Sequence, residues 1–350
     1  MDCMIKIVSH SQVICGPRWA RIFLLGLLGA TVCGGLTTCC LGQSLEWRER
    51  APLSLARAGY MAGVIHGKYV IAGGSYWTDH QKHWTDEVDV YDPIHDNWSR
   101  VANLPQARSD AASVAVGDEL YLFGGGAYGT IRRDALVFRN NKWHTLPSAV
   151  LPEQRLYAVA VADRGLIYLL GGMSKHEDYS SLSNDLWVWN PRSPKKGWKK
   201  LQPFPGPGLI TAAVAGMDGK IYVLGGAKTG GQDVVNVKTA YEYDTVTGKW
   251  AVLPDLPIER RCWWGLTVSP DILLFGGYTK TNEDEVFSYN PAAKTLTNIG
   301  HMPHGLCDAK FLRIGTSIYS VGGEAAPGIR GRWTLEALLP ATVKGSNTAK

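Results

Sequence analysis

Three things are scarce in this 350-residue chain: cysteines in its body, blocks of like charge, and helical periodicity. Of seven cysteines, five (Cys3, Cys15, Cys33, Cys39 and Cys40) lie in the first forty residues. Only Cys262 and Cys307 remain, with no Cys-x-x-Cys, so neither a disulfide framework nor a paired-cysteine metal motif is encoded. Net charge is +5 without a basic run, which argues against nucleic acid as a partner. Long 3.6-residue patterns are few, whereas 40 glycines and 13 tryptophans accompany many short alternating runs. That combination indicates an all-β chain.

The N-terminus differs in kind. Lys6, Arg18 and Arg21 precede the apolar run Ile22–Val32, and small residues follow up to CCLGQ. This is the layout of a secretory signal, with residues 1–42 removed near Gly42/Gln43 and the protein periplasmic or secreted. A retained anchor is the alternative, because Ile22–Leu41 reaches the roughly 20 residues that a membrane span needs.

From residue 43 to 340 the chain repeats. Gly-Gly pairs begin at Gly73, Gly124, Gly171, Gly225, Gly276 and Gly322, each ending a hydrophobic run such as KYVIAGG, LYLFGG or IYVLGG. An alternating run precedes each pair (AASVAVG, YAVAVAD), and a further strand follows, ending in turns such as VDVYDP, LWVWNP or VFSYNP. A tryptophan comes next in four units, Trp98, Trp143, Trp198 and Trp250, with Leu296 in its place in the fifth. A period near fifty with four short strands per unit reads as a β-propeller blade. The sixth unit lacks its last strand, since TLEALLP runs into the polar tail 341–350; SLEWRERAPL, with Trp47, stands unused at the other end. The expectation is a six-bladed propeller, one domain, with Leu45–Arg50 pairing onto Thr334–Leu338 and removing the open edge.

These units resemble kelch repeats, which implies that the tryptophans pack between neighbouring blades. Sixteen residues before each diglycine stand Arg57, Arg108, Arg155, Leu209, Arg260 and Leu306. Two readings of the four arginines are open. They hold blades together through backbone carbonyls, as in other kelch proteins, or they form a positive ring that binds an anionic ligand.

The last diglycine is followed by GEAAPGIR, with Glu324 and Arg330 on either side of a Pro-Gly turn. The plain reading is an ion pair stapling the loop. The loop also resembles the Gly-Glu-Ala-x-Pro-Gly-Leu-Arg loop of the sialic-acid mutarotases, N-acetylneuraminate epimerases built on six kelch blades. LEWRERAPL, AGYMAGV and YVIAGG follow in the matching order once the chain ends are crossed. The resemblance is therefore to a circularly permuted member. It implies that Glu324 and Arg330 are the catalytic pair, Glu324 moving the proton and Arg330 holding the substrate carboxylate, helped by some of Arg57, Arg108, Arg155 and Arg260. It implies an acidic-sugar substrate and no metal or cofactor. The competing function is a non-catalytic kelch propeller that binds glycan or protein.

Weaker candidates are Trp77, His80, His83 and Trp84 in the first blade's loop, His176 and Glu177 in the third, Trp263 and Trp264 in the fifth, and His304 and Asp308 in the sixth. They read as wall, sugar-stacking or supporting groups. A copper oxidase on a kelch scaffold would need a Cys-linked Tyr and two His around one metal, and neither Cys262 nor Cys307 has that setting. These two cysteines are expected to be free, mostly buried thiols, because adjacent inner strands separate Cα atoms too far for a disulfide.

Overall fold

The computed structural model describes residues 44–340; the expected signal (1–42) and tail (341–350) lie outside them. Six four-stranded antiparallel sheets follow one another along the described chain. The first is Met61–Ile65, Lys68–Ala72, Val88–Asp92 and Asn97–Arg100, counted from the inner strand outward. The inner strands of blades two to six are Ala112–Val116, Val159–Asp163, Ala213–Met217, Trp264–Val268 and Phe311–Ile314. They surround a channel.

The sixth sheet is completed from the other end of the chain. Glu46–Arg50 pairs antiparallel with Thr334–Leu338, in the register Glu46↔Leu338 to Arg50↔Thr334. Arg50 Nε donates to the buried Glu336 carboxylate at 2.7 Å, and Glu336 also accepts from the hydroxyls of Ser317 and Tyr319. The all-β, six-bladed propeller closed by its N-terminal strand is thus the fold.

The core is six cores. Each apolar cluster lies between consecutive blades: Phe275 stacks on Phe311 across blades five and six at 4.3 Å, and Tyr91 meets Tyr319 across the closing joint at 5.8 Å. The outer-strand tryptophans fasten each blade to the connector leading into it. The indole N–H of Trp98, Trp143, Trp198 and Trp250 donates to the carbonyl of Ala51, Ala102, Ala149 and Gln202, at 2.8, 3.1, 2.8 and 2.8 Å. Leu296 keeps the packing of the fifth blade without that bond.

The diglycines have a between-blade task. The N–H of every second glycine donates to the carbonyl of the residue sixteen positions before the next blade's diglycine, for example Gly74 to Arg108 O at 2.8 Å and Gly323 to Arg57 O at 3.0 Å. A Cβ on Gly73 would stand 2.3 Å from that same Arg108 oxygen, at φ +61°. Backbone this close to backbone leaves room only for hydrogen.

Candidate functional site

The segments leading into the six inner strands pair by single bridges with the chain just after each diglycine: Ala58 with Ser75, Ser109 with Gly126, and onward to Cys307 with Glu324. The rim of the channel and the loops with the small hairpins therefore share one end of the propeller. In these lead-in segments one position per blade has a left-handed backbone: Gly59, Asp110, Tyr157, Thr211, Cys262 and Asp308, with φ from 53° to 62°. Neighbours in this ring are bonded through the main chain, Asp110 N to Gly59 O at 2.7 Å and Tyr157 N to Asp110 O at 3.0 Å. Five of the six carry side chains that L-residues rarely place in this conformation, a strain that concentrates at functional sites. All six line a cavity of about 430 Å³ in the channel.

The rim is charged with both signs. Burial, and then the Asp308 carboxylate, push Asp110 up to about 6. Burial pulls Lys310 down to about 8, against the pull of Asp308 and Asp110. The nearby Asp110 carboxylate, with burial, raises the Tyr157 hydroxyl well above its ordinary range. Lys310 lies over the ring of Trp264 at 4.4 Å, and both line the cavity.

Glu324 and Arg330 are directly opposed in a small hairpin, Glu324–Ala326 with Ile329–Arg330, and their side chains form an ion pair. Gly328 N donates to the Glu324 carboxylate at 3.3 Å, closing the turn that Pro327 and Gly328 make. The hairpin is tied to the rim: Glu324 and Cys307 exchange backbone bonds of 2.9 Å, and Asn282 Nδ2 donates to Glu324 O at 2.6 Å. Burial raises the Glu324 carboxyl; Arg330 opposes the shift and Asp308 adds to it. Arg330 Nε is buried without a hydrogen-bond partner among the described residues. Neither Glu324 nor Arg330 forms part of the cavity lining; they stand beside Cys307 and Asp308 at its margin.

Of the two readings of the four arginines, the geometry favours the structural one. Arg57, Arg108, Arg155 and Arg260 are buried (0–4% exposed) and do not line the cavity. Each points into its own blade. Arg57 meets Asp89 at 2.5 Å and Glu87 at 3.8 Å, Arg108 Asp134 at 2.6 Å, Arg155 Asp185 at 3.2 Å, and Arg260 pairs with Glu285. One column explains them. The residue whose carbonyl accepts from the first glycine of the pair is Glu87, Asp134, Asp185, Thr239, Glu285 and Trp333 in blades one to six. The four arginine blades carry an acid there, and the two leucine blades (Leu209, Leu306) do not. A charge at one column requires its counter-charge at the other, because an unpaired buried ion is expensive. These arginines tie strands together within their own blades.

The remaining candidates divide. Trp263, Trp264 and Asp308 line the cavity. Trp263 is buried and donates to Leu224 O at 2.9 Å. His83 stacks on Tyr76 and His304 on Trp333, while Trp84 Nε1 donates to Ser109 Oγ at 3.0 Å. Trp77 is 39% exposed, and its ring approaches Gly328 of the blade-six hairpin. His80 sits in a turn at φ 60°, and His176 and Glu177 form a loose surface pair at 3.7 Å. Cys262 and Cys307 are free thiols with their sulfurs within 4.8 Å of each other, and the neighbouring Cys262 thiol, together with burial, pushes the Cys307 thiol far up. Asp110, Tyr157, Thr211 and Lys310 are cavity residues that no motif in the sequence singles out. Counting two residues on from each Arg/Leu position finds the first three.

The KLHDC2/KLHL20/DRC7 Kelch-repeats domain model matches residues 59–258 and 111–323. Similar curated proteins include Kelch-like protein terF of Aspergillus terreus, 28% identical over 66% of this chain and 52% of that protein. Kelch-like protein 25 of Homo sapiens is 24% identical over 89% of this chain and 53% of its own length. The chain thus spans about half the length of these relatives. Among solved structures, that of YjhT has the same fold, with a TM-score of 0.66 at 16% identity, covering 81% of this chain and 96% of YjhT. Diglycine-ended strands, tryptophans fastened to the preceding connector, and the family match over most of the propeller together place this chain in the kelch-repeat family.

Proposed function

We propose that the protein binds a small acidic sugar at the channel mouth and interconverts its α and β anomers, N-acetylneuraminate or a relative being the substrate class. The observation that carries this reading is the Glu324–Arg330 pair. A carboxyl raised by burial stands opposite a guanidinium with a buried, unbonded Nε, both fixed by a closed turn at the rim.

Anomer exchange of a keto sugar removes the proton of the anomeric hydroxyl while the bond from the anomeric carbon to the ring oxygen breaks. The ring oxygen takes up a proton from water, the carbonyl turns over, and the steps reverse on the other face, the proton going back to water. Glu324 takes the hydroxyl proton and returns it, a role suited to a carboxyl whose proton affinity lies above that of a free acid. Arg330 holds the sugar carboxylate through a charge-assisted contact. Asp110 and Asp308 offer acceptors to sugar hydroxyls, and Trp264 offers an apolar face. Export, expected from residues 1–42, belongs to the same proposal, and N-terminal sequencing of protein from outside the cytoplasm tests it.

A second reading, a non-catalytic binding propeller, is favoured by the burial of all four arginines and by the position of Glu324 and Arg330 at the margin of the cavity. Following the equilibration of freshly released α-N-acetylneuraminate by NMR decides between them. Acceleration by the wild-type protein that is lost in Glu324→Gln supports catalysis. Saturable binding with no acceleration supports the second reading.

A further inference from the structure

We propose that Cys262, Cys307 and Asp308 form a binding site for a thiophilic divalent cation, of which zinc is the type, at the rim of the central cavity. The inference is independent of the sugar reading.

Two sulfurs and a carboxylate oxygen lie within 4.8 Å of one another. A tetrahedral zinc takes sulfur at about 2.3 Å and carboxylate oxygen at about 2.0–2.2 Å, which sets its ligand atoms roughly 3.5–3.8 Å apart. Small side-chain rotations close that difference. The backbone that carries these groups is already fixed. Cys262 and Asp308 occupy the left-handed positions of the ring at φ 57° and 53°, and Cys307 is locked by both of its backbone bonds to Glu324. The ligands come from two neighbouring blades, so the ion would bridge the joint between the fifth and sixth.

Their exposure is graded as an open site requires. Cys262 and Asp308 line the cavity and are partly exposed, whereas Cys307 is buried behind them and does not line it. Three protein ligands leave the fourth position of a tetrahedral ion toward the cavity, the arrangement in which zinc holds water or a ligand oxygen. Two thiolates and a carboxylate exceed the charge of a divalent ion, and Lys310, which attracts Asp308, balances the excess. The mixture of two sulfurs with one oxygen favours zinc or cadmium over magnesium and calcium, which take oxygen ligands only.

The test uses the reduced full chain, incubated with zinc and freed of excess metal by gel filtration. Elemental analysis is expected to find one zinc per chain. Cobalt in its place is expected to give the near-ultraviolet charge-transfer band of thiolate ligation. Cys262→Ser, at a partly exposed position that spares the core, abolishes the band and lowers zinc retention at least ten-fold. Asp308→Asn weakens retention without abolishing the band. Circular dichroism identical to wild type shows that both variants are folded. The proposal is overturned if reduced wild type retains no zinc, if Cys262→Ser retains as much as wild type, or if the isolated protein is two hydrogens lighter than its reduced form and the cysteines are a disulfide.

Discussion

Glu324 and Arg330 separate the two functional readings because their losses differ in kind. Glu324→Gln keeps the shape of the side chain but removes the basic oxygen, so sugar binding survives and the anomer-exchange rate falls by about 10²–10⁴. Arg330→Ala weakens sugar affinity by about 1.5–3 kcal/mol, read by calorimetric titration. A staple without chemistry gives equal losses of melting temperature for both variants and no change in rate. Asp110 has its own pH signature. Its carboxyl titrates near about 6 in the fold, above its ordinary 3.8. The folded state therefore holds the proton more tightly, and its contribution to stability falls as pH rises from about 4 to about 6, then stays level. Asp110→Asn is expected to raise the melting temperature at pH 7 more than at pH 4. An equal change at both would refute the assignment. This rim was hardly legible in the sequence. Its column reads Gly, Asp, Tyr, Thr, Cys, Asp, joined by backbone shape and by no shared chemistry.

The blade was legible because its signals are local. Diglycine, apolar run, turn and tryptophan each act within a few residues and recur, so propensity and pattern agree. The arginines stayed open between two readings for the opposite reason: their partners lie 25–32 residues downstream, in or just before the third strand of the blade, and only the pairing of two columns reveals them. Arg57→Leu tests that pairing. It strands Asp89, which is buried and keeps Arg100 at 2.6 Å, so urea denaturation is expected to show a loss near the lower end of about 3–5 kcal/mol. Sugar affinity of the folded variant stays unchanged; a selective loss of affinity would restore the anion-binding ring. The diglycine gives a paired comparison. Gly67 has a φ of +72° and open space around it, so Gly67→Ala costs about 1–2 kcal/mol for the backbone alone. Gly73→Ala adds a collision with Arg108 O and is expected to lower stability by several times as much in the same assay.

At the scale of the whole molecule the ring is held by one joint made from distant parts of the chain. Removing residues 44–50 exposes the Thr334–Leu338 edge and uncovers Trp47's partners Phe275 and Phe311. A drop of many degrees in melting temperature and concentration-dependent association are expected; an unchanged melting temperature would mean that the sixth blade stands without its outer strand.

That joint also imposes a schedule. Arg50 and Glu336 are 286 residues apart, so at about 5–20 residues per second the first strand waits roughly 15–60 seconds for its partner to be synthesised. During that interval it is an unpaired β-strand, the kind of segment most apt to add to the wrong sheet. Its sequence is EWRER. Four of its five residues are charged, and Trp47 alone carries the apolar contact that the finished ring needs. Charge on a waiting edge discourages pairing with other chains while leaving the correct partner, with Glu336 set opposite Arg48 and bonded to Arg50, able to claim it. The composition of this strand suits the minute it spends alone as much as the blade it later completes.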